Sequence, residues 1–359
     1  MKLIILIHNL TGGGAERVAA MWATGFCQKA YEVTLILFDN KSPITYSVPE
    51  QVSIKYAVSY KRNAYVRNIE RIMKLHQILR KEKADVIIDV IPAFWKRFAM
   101  CGISGKKIST EHNSFERPDN AEAKYSKLRK IHLNRLYDYV TVLTQADKNV
   151  IGNQLKNVAV LPNPLALETV KELPTKKKLI LASGRLDIWH CKGFDVLIKA
   201  WAKIADQAEG WILQIAGDSR KEGLKFLQNL CEECGISESV LFLGYQKNIL
   251  PFYKDASVFV LSSRYDGFGL VLIEAMSQGC ACIACDYKGR QKEIVTLEKQ
   301  GLICEPDDVD ELSKKMLCLI KDDDKRREIG LNAIVRSQDF CINKIMEKWE
   351  IILKEILLK

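Results

Sequence analysis

The sequence predicts an α/β protein made of two successive doubly wound domains, each a largely parallel sheet with helices on both faces. Three observations carry this. Short apolar runs of strand length alternate with longer stretches of helical period, the pattern of a covered parallel sheet. The alternation stops at a polar, proline-marked connector and then begins again. Glycine turns directly follow several apolar runs, where such sheets open their helices and hold ligands. At 359 residues the chain also exceeds the usual reach of a single core.

In the first half, strands are expected at 3–7, 33–38, 86–90, 107–110 and 139–143, with helices at 15–29, 69–83 and 126–137. The first run is too short for a signal peptide and meets a glycine turn, so it reads as a buried strand. The connector comprises Leu161-Pro-Asn-Pro164, whose Asn163 is a candidate hinge, and Leu173-Pro-Thr-Lys-Lys-Lys178. Strands then follow at 179–183, 211–216, 240–243, 258–261 and 282–285, with helices at 194–205, 221–234, 269–278 and 309–321. A long amphipathic pattern fills 343–358. The domains are placed at 1–165 and 176–339.

The composition, 48% hydrophobic and 27% charged, is that of a soluble globular protein, and no apolar run reaches membrane-spanning length. Eleven cysteines include Cys231-Glu-Glu-Cys234 and three crowded into 280–285. Paired CxxC motifs with matching histidines are absent, so no metal site is expected; buried thiols in a reducing, cytoplasmic setting are. The net charge of +10 concentrates in two clusters. One is Lys61, Arg62, Arg67, Arg71, Lys74, Arg80, Lys81 and Lys83; the other is Lys124, Lys127, Arg129, Lys130 and Arg135. A phosphate-bearing acceptor, an anionic membrane surface or nucleic acid would each explain them, as would a solvated helix face. No helix-turn-helix, zinc or aromatic-platform signature supports nucleic acid.

The most informative segment runs from Ser263 to Gly279. Asp266 and Glu274 flank the turn Gly267-Phe268-Gly269, which offers backbone N–H groups at a helix start. Glu274 lies about two helical turns further on. Carboxylates for hydroxyls beside N–H groups for an anion match a phosphorylated sugar. Upstream, Gly12, Gly13 and Gly14 precede Glu16 after the first strand, in a loop that is not a dinucleotide fingerprint. Gly184 and Arg185 follow the first strand of the second half, with Lys192 after a short loop; the two cations can converge on a diphosphate. His112 stands in the polar loop Thr110-Glu-His-Asn-Ser114 and is one of five histidines. Tyr245 and Gln246, after Phe242-Leu-Gly, and Asp218, after Gly217, are candidates to line a base or phosphate pocket.

In that order, these motifs resemble glycosyltransferase family 4, with the two-Rossmann architecture called GT-B. The resemblance spans nearly the whole chain and is sharpest at the acidic-x7-acidic segment, where the family usually has Glu in the place of Asp266. A finer similarity is to transferases that extend undecaprenyl-diphosphate-linked glycans with N-acetylgalactosamine. It rests on Gly-Gly-Gly-Ala-Glu-Arg-Val and Thr-Glu-His-Asn. The resemblance implies retaining transfer from a nucleotide sugar, a UDP-hexose or UDP-N-acetylhexosamine, without cofactor or metal. It places Glu274 on the ribose and Asp266 on the 3- and 4-hydroxyls of the sugar. Gly267, Phe268, Gly269 and Leu270 fall at sugar and phosphate, and Gly184, Arg185 and Lys192 at the diphosphate. His112 meets the donor sugar, Gly13, Gly14 and Glu16 the donor phosphates and acceptor, Tyr245 and Gln246 the base region, and Asp218 the base or the phosphates. The loop before Lys192 is longer than the family's, which makes His190 a minor candidate in its place. The resemblance also implies that the tail, 340–359, crosses back to the first domain. The acceptor would be a lipid-diphosphate-linked glycan or polysaccharide, and the enzyme a monomer peripheral to the inner face of the cytoplasmic membrane. Rival readings are a UDP-sugar epimerase of the same architecture, a non-catalytic partner subunit, and a basic nucleic-acid-binding protein.

Overall fold

The structure, a computed structural model, describes residues 1–116, 127–219 and 221–358. Lys124 of the second basic cluster and position 126, the expected start of a helix, lie outside the described residues, as does the last residue of the tail. The chain divides into two compact units: Met1–Ala166 with Cys341–Lys359, and Leu167–Phe340.

The first unit runs β1 (Lys2–Ile7), α1 (Gly14–Gln28), β2 (Glu32–Leu37), β3 (Ser53–Tyr56), α2 (Ala64–Glu82), β4 (Val86–Asp89), α3 (Phe94–Ala99), β5 (Lys106–Thr110), α4 (Lys127–Asn134), β6 (Tyr139–Val142), α5 (Gln145–Ile151) and β7 (Val158–Val160). Among the described residues seven strands form its sheet, in the order β3-β2-β1-β4-β5-β6-β7. Each neighbouring pair is parallel, for example Leu6 opposite Ile36 and Asp89. The central strands β1 and β4 are apolar and buried because helices cover both faces.

The second unit runs β8 (Lys177–Ser183), α6 (Trp189–Lys192), α7 (Phe194–Ala202), β9 (Ile212–Ala216), α8 (Lys221–Glu233), β10 (Val240–Gly244), α9 (Leu250–Asp255), β11 (Ala256–Leu261), α10 (Leu270–Ser277), β12 (Ala281–Cys285), β13 (Leu302–Cys304), α11 (Val309–Lys321) and α12 (Asp323–Ser337). Its parallel sheet has the order β10-β9-β8-β11-β12-β13. In both sheets the order of the strands reverses beside the first strand, which gives topological switch points at the carboxyl ends of β1/β4 and of β8/β11.

The last helix, α13 (Ile342–Leu358), belongs to the first unit. It lies against α1, where Trp349 meets the rings of Trp22 at 5.0 Å, edge-on, and Phe26 at 5.5 Å. Glu350 pairs with Lys29 at 2.9 Å, and Glu355 accepts from the Tyr139 hydroxyl at 2.7 Å. All eleven cysteines are free thiols, and most of those in the second unit are buried.

Candidate functional site

In the second unit the strand ends are joined through glycine. Gly184 donates its N–H to Ala216 O at 3.0 Å, and Gly217 donates to Gly244 O at 2.9 Å. A Cβ on Gly217 would collide with the Gly184 carbonyl, so the backbones approach in a way only glycine permits. The chain leaves β8 with Leu186 buried and its N–H donating to Asp218 O at 2.8 Å. The short helix α6 then returns Lys192 to the strand ends, its methylenes 3.3 Å from where a Cβ on Gly184 would stand. Gly193, left-handed at φ +62, lies against the Ser262 carbonyl, and Ser262 Oγ donates to Lys192 O at 2.9 Å. Lys192 lies beside Gly184, while His190 is exposed and offers its carbonyl to Arg264.

Lys192 Nζ meets Asp266 Oδ2 at 2.9 Å. The other oxygen, Oδ1, accepts the Phe268 N–H at 3.2 Å. Burial pushes the Asp266 carboxyl up, but the Lys192 ammonium and the N–H groups of Phe268 and Gly267 outweigh it and hold the group below its ordinary range. The glycine turn therefore aims N–H groups at Asp266 itself. Gly269, at φ +99, caps α10, and Leu270 is its first residue. Glu274, on that helix, is 2% exposed and accepts from the Tyr253 hydroxyl of α9 at 3.2 Å. The expected convergence of two cations takes another form. Arg185 is exposed and turned to Asp187 through two bonds, 3.0 and 2.6 Å, while Lys192 holds Asp266. Asp218 and Tyr245 are exposed, and Gln246 curls onto Leu243 O at 2.6 Å.

Sequence reasoning missed Arg264. It grips Asp195 of α7 through two bonds of 2.7 Å, reaches Asp307 at 2.6 Å, and takes His190 O at 2.6 Å. Asp195 is raised by burial but lowered further by this guanidinium, a net depression. The residues before Asp266 are thereby tied to α6 and α7. The partners are 69 residues apart in sequence, so no local pattern announces the pair.

In the first unit, Gly12 is left-handed at φ +73 and Gly13 caps α1, with Gly14 its first residue. Glu16 folds back over Gly13, where any Cβ would strike its carboxylate; burial raises its pKa, against its own backbone N–H. His112 follows β5, its Nε2 at 3.2 Å from Thr110 Oγ1 and its ring 5.6 Å from Trp22. His112 Nδ1 and Asn163 Oδ1 are both buried. Burial depresses the imidazole to about 4, opposed by the weaker effect of the Asn163 side chain, so the ring is neutral near pH 7. The loop is held by Asn134 Nδ2 donating to Glu111 at 2.7 Å and by Phe115 N–H donating to Asp147 at 2.9 Å. A buried group the sequence did not flag stands at the end of β4. Asp89 pairs with Lys96 at 2.6 Å and accepts from Tyr137 at 2.7 Å.

Two family models match end to end. Glycosyltransferase Family 4 covers residues 12–169, and Glycosyl transferases group 1 covers 166–336. The chain is a glycosyltransferase of these families. Full-length relatives include an uncharacterized glycosyltransferase of Haemophilus influenzae, 28% identical over 98% of this chain and 99% of its own. A second is a Campylobacter jejuni enzyme named as an N-acetylgalactosaminyltransferase acting on a diphospho-undecaprenol-linked glycan, 27% identical over 96% of this chain and 97% of its own. Among solved structures, Anabaena HepE in complex with UDP superposes with a TM-score of 0.83 at 19% identity, covering 99% of this chain and 100% of its own. S. aureus TarM in a complex that includes UDP gives 0.82 at 15% identity, over 98% and 99%. The glycosyltransferase retains the two-sheet fold of both.

Proposed function

We propose that this glycosyltransferase moves a hexose or N-acetylhexosamine, with retention, from a UDP-sugar to a hydroxyl of a lipid-diphosphate-linked glycan or polysaccharide. The setting is assembly of a bacterial cell-surface glycan. The observation that carries the reading is Asp266, held between Lys192 and the N–H groups of a left-handed glycine turn that leads into the helix of Glu274. A carboxylate so held is an acceptor for sugar hydroxyls, and its ammonium partner is a counter-charge for phosphate. UDP is favoured by the UDP complexes of structurally similar proteins. The lipid-linked acceptor is favoured by the name of the Campylobacter relative.

On donor binding, Lys192 shares its charge with the diphosphate and Arg185 exchanges Asp187 for it. Together they stabilise the negative charge that builds on the leaving group. Asp266 turns to the sugar hydroxyls and Glu274 to the ribose. Tyr245, Gln246 and Asp218 border the base, while Gly13, Gly14 and Glu16 border the donor phosphates and acceptor. His112, neutral, gives a hydrogen bond to the sugar rather than acting as a base. The leaving phosphate accepts the proton of the acceptor hydroxyl on the same face. No metal or other cofactor takes part, so a chelator leaves the rate unchanged. The enzyme acts as a monomer at the inner face of the cytoplasmic membrane. Its attachment there is peripheral; no helix among the described residues is long and apolar enough to cross a membrane.

A panel of UDP- and GDP-sugars screened by thermal shift, followed by transfer to a lipid-diphosphate acceptor, tests the reading. A ligand at 100 times its Kd adds about 2.7 kcal/mol of stability. Asp266→Glu lengthens the reach by on the order of 1.5 Å and is expected to change donor preference or rate. Unchanged donor ranking and rate would show that Asp266 does not touch the sugar.

A further inference from the structure

Lys192 and Asp266 stand on two loops that are laced together along their length. Arg264 N–H donates to Cys191 O at 3.0 Å, and Cys191 Sγ donates to Tyr265 O at 3.6 Å. Ser262 Oγ donates to Lys192 O at 2.9 Å. The Lys192–Asp266 pair, at 2.9 Å, lies at the end of this lacing. An ammonium on a flexible four-carbon stem is not fixed by one ion pair. Its place follows from the backbone that carries it, and a guanidinium ties that backbone down.

The Arg264 side chain commits four of its five N–H groups to the protein. Nη1 and Nη2 donate to the two oxygens of Asp195, each at 2.7 Å, a fork that sets orientation as well as distance. Nη1 also donates to His190 O at 2.6 Å, and Nε donates to Asp307 at 2.6 Å. One group thus joins the connections that follow β8, β11 and β13. The Arg264 and Asp195 side chains are 14% and 12% exposed, whereas Asp307 is 60% exposed. Asp195 gives the join a firm footing, because it stands in the first turn of α7, seven of whose nine residues are buried. A pair this enclosed adds little net stability, since desolvation offsets much of the attraction. What the fork supplies is geometry.

We propose that Arg264 is the positioning residue of the donor grip. Forked on Asp195, it fixes the segments 190–192 and 264–266, so that Lys192 and Asp266 stand at the spacing that receives the donor. This rests on the reading above in which Lys192 meets the donor diphosphate. Arg264 touches no donor itself; its effect runs through Lys192 and Asp266.

Two measurements on the full chain test this. The variant is Arg264→Gln with Asp195→Asn, which removes both charges and leaves neither enclosed alone. Without ligand, hydrogen exchange read by mass spectrometry should be faster in 186–193 and 262–269 and unchanged elsewhere in 167–340. With UDP, calorimetry should show binding weakened about tenfold. That effect should disappear once its target is gone. In a Lys192→Met background the paired change should weaken UDP binding by less than about twofold further. Effects that multiply in this cycle would overturn the proposal and leave Arg264 a purely structural residue. So would native-like UDP binding by the paired variant, or exchange that is unchanged in both segments or raised throughout the unit. Absence of UDP binding by the native protein would count against the donor named above. The exchange result, which needs no ligand, would then decide whether Arg264 holds the two loops.

Discussion

Lys192 and Asp266 hold each other in a pair whose strength depends on pH in a defined direction. Asp266 is depressed in the folded chain, so its contribution is present above the ordinary carboxylate pKa and is lost as pH falls through the lower folded value. His112 acts over a different window. It titrates at about 4 when folded against 6.5 for a free imidazole, so between these values the unfolded chain binds more protons. Stability therefore declines as pH falls from about 6.5 towards 4. The thermal midpoint of the native protein is expected to drop between pH 7 and 5, and His112→Asn should make that drop smaller. An identical pH slope in the variant would mean that His112 is not buried neutral. The same value predicts that no limb of the activity profile near pH 6.5 belongs to His112.

At the scale of elements, the glycines that close the strand ends are where the donor-side scaffold is least tolerant. Gly217→Ala places a methyl inside the Gly184 carbonyl and is expected to cost about 1–3 kcal/mol, read by urea unfolding. Loss of donor-induced thermal stabilisation should accompany it, because the displaced backbone carries Arg185. Most elements were legible because their faces differ: β1, β8 and α7 show in their apolar spacing. Others were not. β3 is a half-exposed edge strand of four residues, and β13 and β7 have three each, too short for a period to register. α3 and α5 have six and seven residues. α12 has polar residues on most of its surface, although Asp322 caps it. In the site, the motif residues were legible because turns and strand ends mark them locally. The pairings were not: Lys192 with Asp266 and Arg264 with Asp195 join residues 74 and 69 positions apart. The Asp89–Lys96–Tyr137 group was hidden for another reason. Buried polar side chains carry no periodic signal, and Lys96 and Asp89 read as ordinary surface charges until the fold encloses them.

At the scale of the whole molecule, the chain completes its first unit last. α13 supplies Trp349, fully buried beside Trp22 and Phe26, and Met346, which fills the space left by Gly25. Trp349→Ala is expected to cost that unit about 3–5 kcal/mol. Hydrogen exchange read by mass spectrometry should show the lost protection in residues 1–166 and leave 167–340 nearly unchanged; uniform loss across the chain would contradict the division into two units. Trp22 also touches His112, so the same variant should slow transfer more than it weakens donor binding. One observable decides whether a donor is gripped by Asp266 and Glu274 with no enzyme nucleophile. The anomeric configuration of the first product, read by NMR from an α-linked UDP-sugar and a lipid-diphosphate acceptor, should be α. A β-linked first product would contradict same-face transfer and the roles given to Lys192, Asp266 and His112.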